Sequence, residues 1–220
     1  MEKIEKWDDK NFFKNEKYEN FSAIICGSRR SGKSYLLKYL FKKFKFNDKF
    51  DYICVICGSS ELNNYQEYIK GDLFFDEFEG GIIDRLFLLS EYFQQNGKSK
   101  KFLVILDDTI SNDQKFNEAL NNVFSRGRHA NISLFLTTQK LSMSSTISRT
   151  NCDIVFLGCA KSSMEKKAYI SNFLDGEIEF PEGVRQDKAL IKIIKENTQD
   201  FNFLVVDYSG DNILFKYRAE

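Results

Sequence analysis

One octapeptide constrains this chain more than any other feature. Gly27-Ser28-Arg29-Arg30-Ser31-Gly32-Lys33-Ser34 joins an apolar run, Phe21–Cys26, to a stretch with helical apolar spacing, Lys33–Phe44. A G-x-x-x-x-G-K-S loop between a strand and a helix wraps backbone amides around an anion. Glycines at its ends allow close approach, and the helix start adds its dipole. A polyphosphate needs several such donors at once. Lys33 is placed to reach the β- and γ-phosphates and the Ser34 hydroxyl to ligate Mg²⁺. We therefore read Gly27, Ser28, Arg29, Arg30, Ser31, Gly32, Lys33, Ser34 and Tyr35 as a binding segment for ATP and Mg²⁺.

The rest of the chain supplies a matching scaffold. Apolar runs recur at Phe21–Cys26, Tyr52–Cys57, Phe102–Leu106, Ile132–Leu136 and Ile154–Leu157, none of them alternating cleanly. Continuous apolar strands imply a parallel sheet covered on both faces. Helical spacing lies between them in Lys33–Phe44, Gly81–Gln95, Asp113–Phe124 and Ser162–Leu174. The alternation predicts an α/β three-layer sandwich of the P-loop NTPase kind, RecA- or FtsK–HerA-like, with a mostly parallel central sheet. Near the end, Phe201–Tyr208 and Ile213–Arg218 flank Ser209-Gly210-Asp211-Asn212, which predicts a C-terminal β-hairpin over about 201–218. Residues 1–20 are polar with scattered aromatics and are expected as an N-terminal arm. Residues 21–220 are expected as one ATPase domain.

The run Phe102–Leu106 stops at Asp107 and Asp108. A strand lying beside the one that feeds the phosphate loop would present these carboxylates to the cation. Asp107 is assigned to the metal and Asp108 to orienting and deprotonating the attacking water. Asp108 is one methylene shorter than the glutamate frequent at this place. The strand Ile132–Leu136 ends in Thr137-Thr138-Gln139, so Gln139 falls near the γ-phosphate as a candidate sensor. Arg126, Arg128 and, less directly, Arg149 are candidate arginine fingers, since a guanidinium from a neighbouring subunit can stabilise charge on the transferred phosphoryl group. His129, with no second histidine in the chain, is expected to be structural.

Charge and cysteine usage narrow the function classes. Lys+Arg and Asp+Glu stand at 32 each, which excludes a globally basic nucleic-acid coat and leaves only local patches. Two such patches are Lys98, Lys100 and Lys101, and Lys161, Lys166 and Lys167. Cys54 and Cys57 form a C-x-x-C, but Val55 and Ile56 between them are strand residues. All five cysteines are read as small buried apolar residues of a reducing compartment. The charged start MEKIEKWDDKNFF shows no signal peptide, and no apolar run is long enough to span a bilayer.

Taken together, FSAIICGSRRSGKS, FLVILDD, RGRHANISLFLTTQ, SRTNCDIVFLG and FLVVDYSGDNILFKYRA carry a family resemblance. From about residue 20 to the end, the chain resembles the viral genome-packaging ATPases of the FtsK–HerA class. It is close to the poxvirus type found in large DNA viruses and virophages. The resemblance implies a homo-oligomeric ring, pentamer or hexamer, that threads double-stranded DNA into a capsid and docks on a capsid or portal vertex protein. It implies no membrane partner, and a place in the virion or in virus factories of the host-cell cytoplasm. It carries the phosphate roles onto Gly27, Gly32, Lys33 and Ser34, the metal and water roles onto Asp107 and Asp108, and the sensor onto Gln139. The finger falls on Arg126 or Arg128, with Arg149 as a third candidate. Arg29 and Arg30 depart from the small residues common in such loops, and no separate nuclease or DNA-binding domain is expected. Two other readings stay open at this level: a phosphotransferase of the nucleotide-kinase type, and a P-loop protein that binds nucleotide without hydrolysing it.

Overall fold

The computed structural model of the chain describes residues 4–14, 18–71, 73–109, 114–141, 145–178, 180–181, 183–208 and 213–219. Its helices and strands alternate over most of the chain. In chain order they are α1 (Asp9–Lys14), β1 (Ser22–Cys26), α2 (Lys33–Lys43), α3 (Phe46–Lys49), β2 (Tyr52–Cys57), α4 (Ser59–Gln66), β3 (Leu73–Phe75), α5 (Gly80–Gln95) and β4 (Phe102–Asp107). They continue as α6 (Gln114–Arg126), β5 (Ile132–Thr138), α7 (Thr146–Thr150), β6 (Ile154–Leu157), α8 (Ser163–Tyr169), α9 (Gln186–Asn197), β7 (Asn202–Asp207) and β8 (Leu214–Arg218). A 3₁₀ turn, Gly127–Ala130, follows α6, and α8 runs on into a π-helical turn, Ile170–Leu174.

These strands form one eight-stranded sheet in the order β3-β2-β4-β5-β1-β6-β7-β8. From β3 to β6 every pairing is parallel, and β6, β7 and β8 pair antiparallel. The mostly parallel α/β sandwich is thus as the periodicity predicts, because alternate residues of each central strand enter two separate cores. Ile24 and Cys26 face one core with Val104, Leu106, Leu134 and Leu136. Ala23 and Ile25 face the other with Leu103, Ile105 and Phe135. Helix α2 closes the second core with Leu36, Leu37, Leu40 and Phe41, a stripe at i, i+1, i+4 and i+5. Burying each such side chain stabilises the fold by about 1.5–3 kcal/mol. Four of the five cysteines are buried, and burial pushes the Cys54 and Cys57 thiols up to about 12.

Several elements go beyond the sequence reading. Strand β3 and helices α1, α3, α4, α7 and α9 add to the expected elements. Strand β5 runs two residues further than expected, through Thr137 and Thr138. The hairpin strands pair as expected, while its turn at 209–212 and the first residue expected for α6, Asp113, lie outside the described residues.

The segment before β1, expected as an arm, packs Trp7, Phe12 and Phe13 into the second core. Trp7 meets Phe156 and Tyr217 edge-on at 5.3 and 5.2 Å, and its Nε1 donates to Asp207 at 2.7 Å. Its backbone amide donates to Lys216 at 2.9 Å, and the Lys216 amide donates to Glu5 at 2.8 Å, which covers the open edge of β8. Trp7→Ala leaves a large cavity and removes the indole donor from one Asp207 oxygen. It is expected to lower unfolding stability by about 3–5 kcal/mol in urea titration. A loss under about 1 kcal/mol would show that the segment is not part of the core.

Candidate active site

Parallel strands bring their carboxyl ends to one edge of the sheet, and the loop after β1 occupies its centre. A Cβ on Gly27 would lie 2.5 Å from Ser31 Oγ and 3.3 Å from Gly158 Cα, so the backbone there admits only glycine without movement. Gly32 takes φ +91 as the N-cap of α2 and offers no capping side chain. The amides of Lys33, Ser34 and Tyr35 therefore begin the helix without an α-helical acceptor. The loop is pinned from both sides. Gly27 donates to the Thr138 carbonyl at 3.1 Å, and Ser28 donates to the Cys159 carbonyl at 2.9 Å. The Lys161 amide donates to Ser28 Oγ at 3.1 Å. Ser31 Oγ is buried with no hydrogen-bond partner among the described residues. A glycine-walled cradle, an uncapped helix start and an orphaned hydroxyl fit a polyphosphate.

Lys33 is buried and donates to the Gly27 carbonyl at 3.1 Å. Facing it are the acids that end β4. Asp107 is buried, and burial raises its carboxyl above the ordinary value, against hydrogen bonds from Thr137 and Tyr65 that favour the ionised form. Thr137 Oγ1 donates to one of its oxygens. Tyr65 OH donates to the other at 2.6 Å, and Ser34 Oγ approaches that same oxygen at 3.4 Å. A cation facing Asp107 and Ser34 offsets the cost of that burial, so the oxygen donors fit Mg²⁺. Asp108, at φ 51, turns out of the strand; its amide donates to Thr137 Oγ1 at 3.1 Å. Its carboxylate accepts from Gln139 Nε2 at 3.0 Å and stands 3.9 Å from Lys33 Nζ. Lys33, Ser34, Asp107, Asp108 and Gln139 thus form one connected group. Arg29, Arg30 and Tyr35 are exposed at its rim.

Tyr65 and the Thr137 hydroxyl are additions to the residues read from sequence. Tyr65 comes from α4, a short helix whose register against β4 no local pattern reports. Thr137 sits in a visible strand end, but only the fold aims its hydroxyl at Asp107.

The three arginines do not join this group. Arg126 and Arg128 precede β5, a seven-residue strand, and so sit at the opposite edge, roughly 20 Å away along it. The Arg126 guanidinium lies 5.7 Å over the Phe87 ring. Arg128 pairs with buried Asp153, whose other oxygen accepts from the Ser22 amide at 2.8 Å and Ser22 Oγ at 3.0 Å. Arg149 reaches Thr146 Oγ1 at 3.2 Å and the Leu141 carbonyl at 3.5 Å. Arg128, His129, Arg149 and Asp153 line an open recess of about 810 Å³ at that edge. The His129 carbonyl accepts from Gln94 at 3.0 Å.

The family model described as Poxvirus A32 protein matches residues 9–198. No curated protein sequence matches the chain. Among solved structures, the genome packaging NTPase B204 of Sulfolobus turreted icosahedral virus 2, in complex with AMPPCP, is similar at TM-score 0.67 and 18% identity. That similarity covers 92% of this chain and 99% of that one. B204 described as the DNA-packaging ATPase from Sulfolobus Turreted Icosahedral Virus is similar at TM-score 0.65 and 18% identity, over 91% and 98%. EssC (ATPases 2 and 3) from Geobacillus thermodenitrificans is similar at TM-score 0.59 and 15% identity, over 91% of this chain and 40% of that one. At these identities the likeness establishes the fold.

Thr137 joins the two acids, so its removal has a measurable cost. Thr137→Val leaves a buried carboxylate oxygen short of a donor and is expected to lower stability by about 1–3 kcal/mol in urea unfolding. In an Asp107→Ala background most of that cost disappears; full additivity would show that the two groups do not interact.

Proposed function

The chain belongs to the poxvirus A32 protein family, and we propose on that premise that it is an ATP-hydrolysing motor that packages viral double-stranded DNA into a capsid. The observation that carries this reading is the convergence of Lys33, Ser34, Asp107, Asp108 and Gln139 at one sheet edge, inside the segment that the family match spans. Support for ATP as the nucleotide comes from the fold shared with packaging NTPases held with nucleotide analogues.

In this reading the amides of the loop and the Lys33 ammonium bind the phosphates and take up their charge. Ser34 and Asp107 would hold Mg²⁺, which when bound neutralises charge on the phosphate oxygens. Tyr65 and Thr137 fix the Asp107 carboxylate so that one oxygen faces Ser34. Asp108 lies outside the strand, exposed to solvent on one side and near Lys33 on the other. It orients a water and accepts its proton. Gln139 holds the Asp108 carboxylate, and a change in that bond on phosphate release links nucleotide state to β5.

Arg126 and Arg128 stand at the far edge of their own subunit, so either one meets a γ-phosphate only across an interface. A ring, pentamer or hexamer, in which one subunit's β5–β6 amino edge faces its neighbour's phosphate loop provides that arrangement. Of the two lysine clusters, Lys100 and Lys101 form ion pairs with Asp51 and Glu19 at 2.6 and 3.0 Å. Lys161, Lys166 and Lys167 lie beside the phosphate edge with no ion pair among the described residues, and we assign the DNA phosphates to them. A capsid or portal vertex protein is the proposed docking partner, and the virion or a cytoplasmic virus factory the proposed location. No helix among the described residues is long and apolar enough to cross a membrane.

Steady-state ATPase measurements with and without double-stranded DNA test the assignment. Lys33→Ala is expected to abolish turnover and weaken ATP binding. Asp108→Asn is expected to lower kcat by about 10²–10⁴-fold while ATP still binds. A rate in the unaltered protein that DNA leaves unchanged would refute the motor. Mixing Arg128→Ala subunits with Asp108→Asn subunits is expected to restore hydrolysis at mixed interfaces. No recovery at any ratio would remove Arg128 as a residue acting in trans.

A further inference from the structure

Two consecutive non-glycine residues on the phosphate edge hold a left-handed backbone, Asp200 at φ 51 and Phe201 at φ 61. They are the central pair of the turn that carries α9 into β7. The Asn202 amide closes it on the Gln199 carbonyl at 2.9 Å, and Asn202 Nδ2 reaches the same oxygen at 2.7 Å. Turns with positive φ at both central positions favour Asn or Asp followed by Gly. Asp200 suits its place. Phe201 does not, because a bulky side chain is disfavoured there.

Such strain persists only where the surroundings hold it, and it gathers at ligand sites. Core packing does not account for it, since the Phe201 side chain is 59% exposed. What the ring meets instead is the phosphate loop: its Cδ1 lies 3.0 Å from the position a Cβ on Gly32 would take.

Topology places this ring on a particular flank. Strand β7 runs antiparallel to β6, with Leu204 opposite Leu157, so the residue before β7 arrives at the carboxyl edge. The acids of β4 lie on one side of β1, beyond β5, and Phe201 lies on the other, beyond β6. A nucleotide whose terminal phosphate points to the acids extends its nucleoside toward Phe201. Tyr35, in the first turn of α2, is also 59% exposed. Tyr39, one turn later, lines a recess with Trp7 and Tyr217, so the face of α2 that carries Tyr35 turns toward β8 and the hairpin.

We propose that Phe201, flanked by Tyr35, is the platform on which the base of a bound purine nucleoside triphosphate stacks. This base subsite rests on the phosphate-loop reading above. Stacking of a base on an aromatic ring accounts for roughly tenfold in affinity, and removing the ring removes it without touching the phosphate contacts.

Calorimetric titration of the full chain with Mg·ADP and, separately, with inorganic tripolyphosphate separates base from phosphate binding. In Phe201→Gly, which deletes the ring and relaxes the turn, ADP affinity is expected to fall about tenfold. Tripolyphosphate affinity stays at its original value, and the unfolding temperature is no lower. Phe201→Trp is expected to keep ADP affinity and to report it by a change in indole fluorescence that tripolyphosphate does not produce. Undiminished ADP affinity in Phe201→Gly, equal losses with both ligands, or a lower unfolding temperature would overturn the proposal. Failure of the unaltered chain to bind either ligand would overturn the phosphate-loop reading and this subsite with it, a result distinct from the selective ones.

Discussion

Asp107 is a carboxylate withdrawn from water at the end of a central strand, and the architecture of the phosphate edge follows from holding it there. A buried charge without donors is costly, so each neighbouring element contributes one. Strand β5 brings Thr137, helix α4 brings Tyr65, and the first turn of α2 brings Ser34. Thr137 also accepts from the Asp108 amide, which fixes the left-handed turn that swings Asp108 out of the strand toward Lys33 and Gln139. Asp107 and Asp108 are therefore parts of one hydrogen-bonded unit, and a shift of β5 moves both.

The opposite edge is built on the same principle. Asp153 is buried before β6 and ties the start of β1 through Ser22 to the turn before β5 through Arg128. A buried acid thus stands at each edge of the sheet, one bonded to the end of β5 and the other to the turn before it. The length of β5 separates this pair from the loop after β1.

Legibility in the sequence followed the length and burial of each element. Strands β1, β2, β4, β5 and β6 are buried on both faces and declare themselves as apolar runs. Strand β3 has three residues, all partly buried, and α4 is a short helix with few apolar positions, so neither rises above its surroundings. The segment before β1 reads as polar because Lys, Asp and Asn separate its aromatics; only against the hairpin and α2 do Trp7, Phe12 and Phe13 become core. Phe201 reads as the first residue of a strand, whereas its positive φ takes it out of the strand and onto the loop.

The sequence alone determined the glycine-ended loop, the covered parallel sheet and the acids and glutamine at strand ends. Each of these is encoded over a few neighbouring residues by backbone freedom, side-chain period or an abrupt change of polarity. Tertiary structure alone decided that Tyr65 and Thr137 hold Asp107, that Arg126 and Arg128 fall at the far edge, and that Phe201 lies against Gly32. Those contacts join residues distant along the chain, and they depend on strand order and direction, which no local period records.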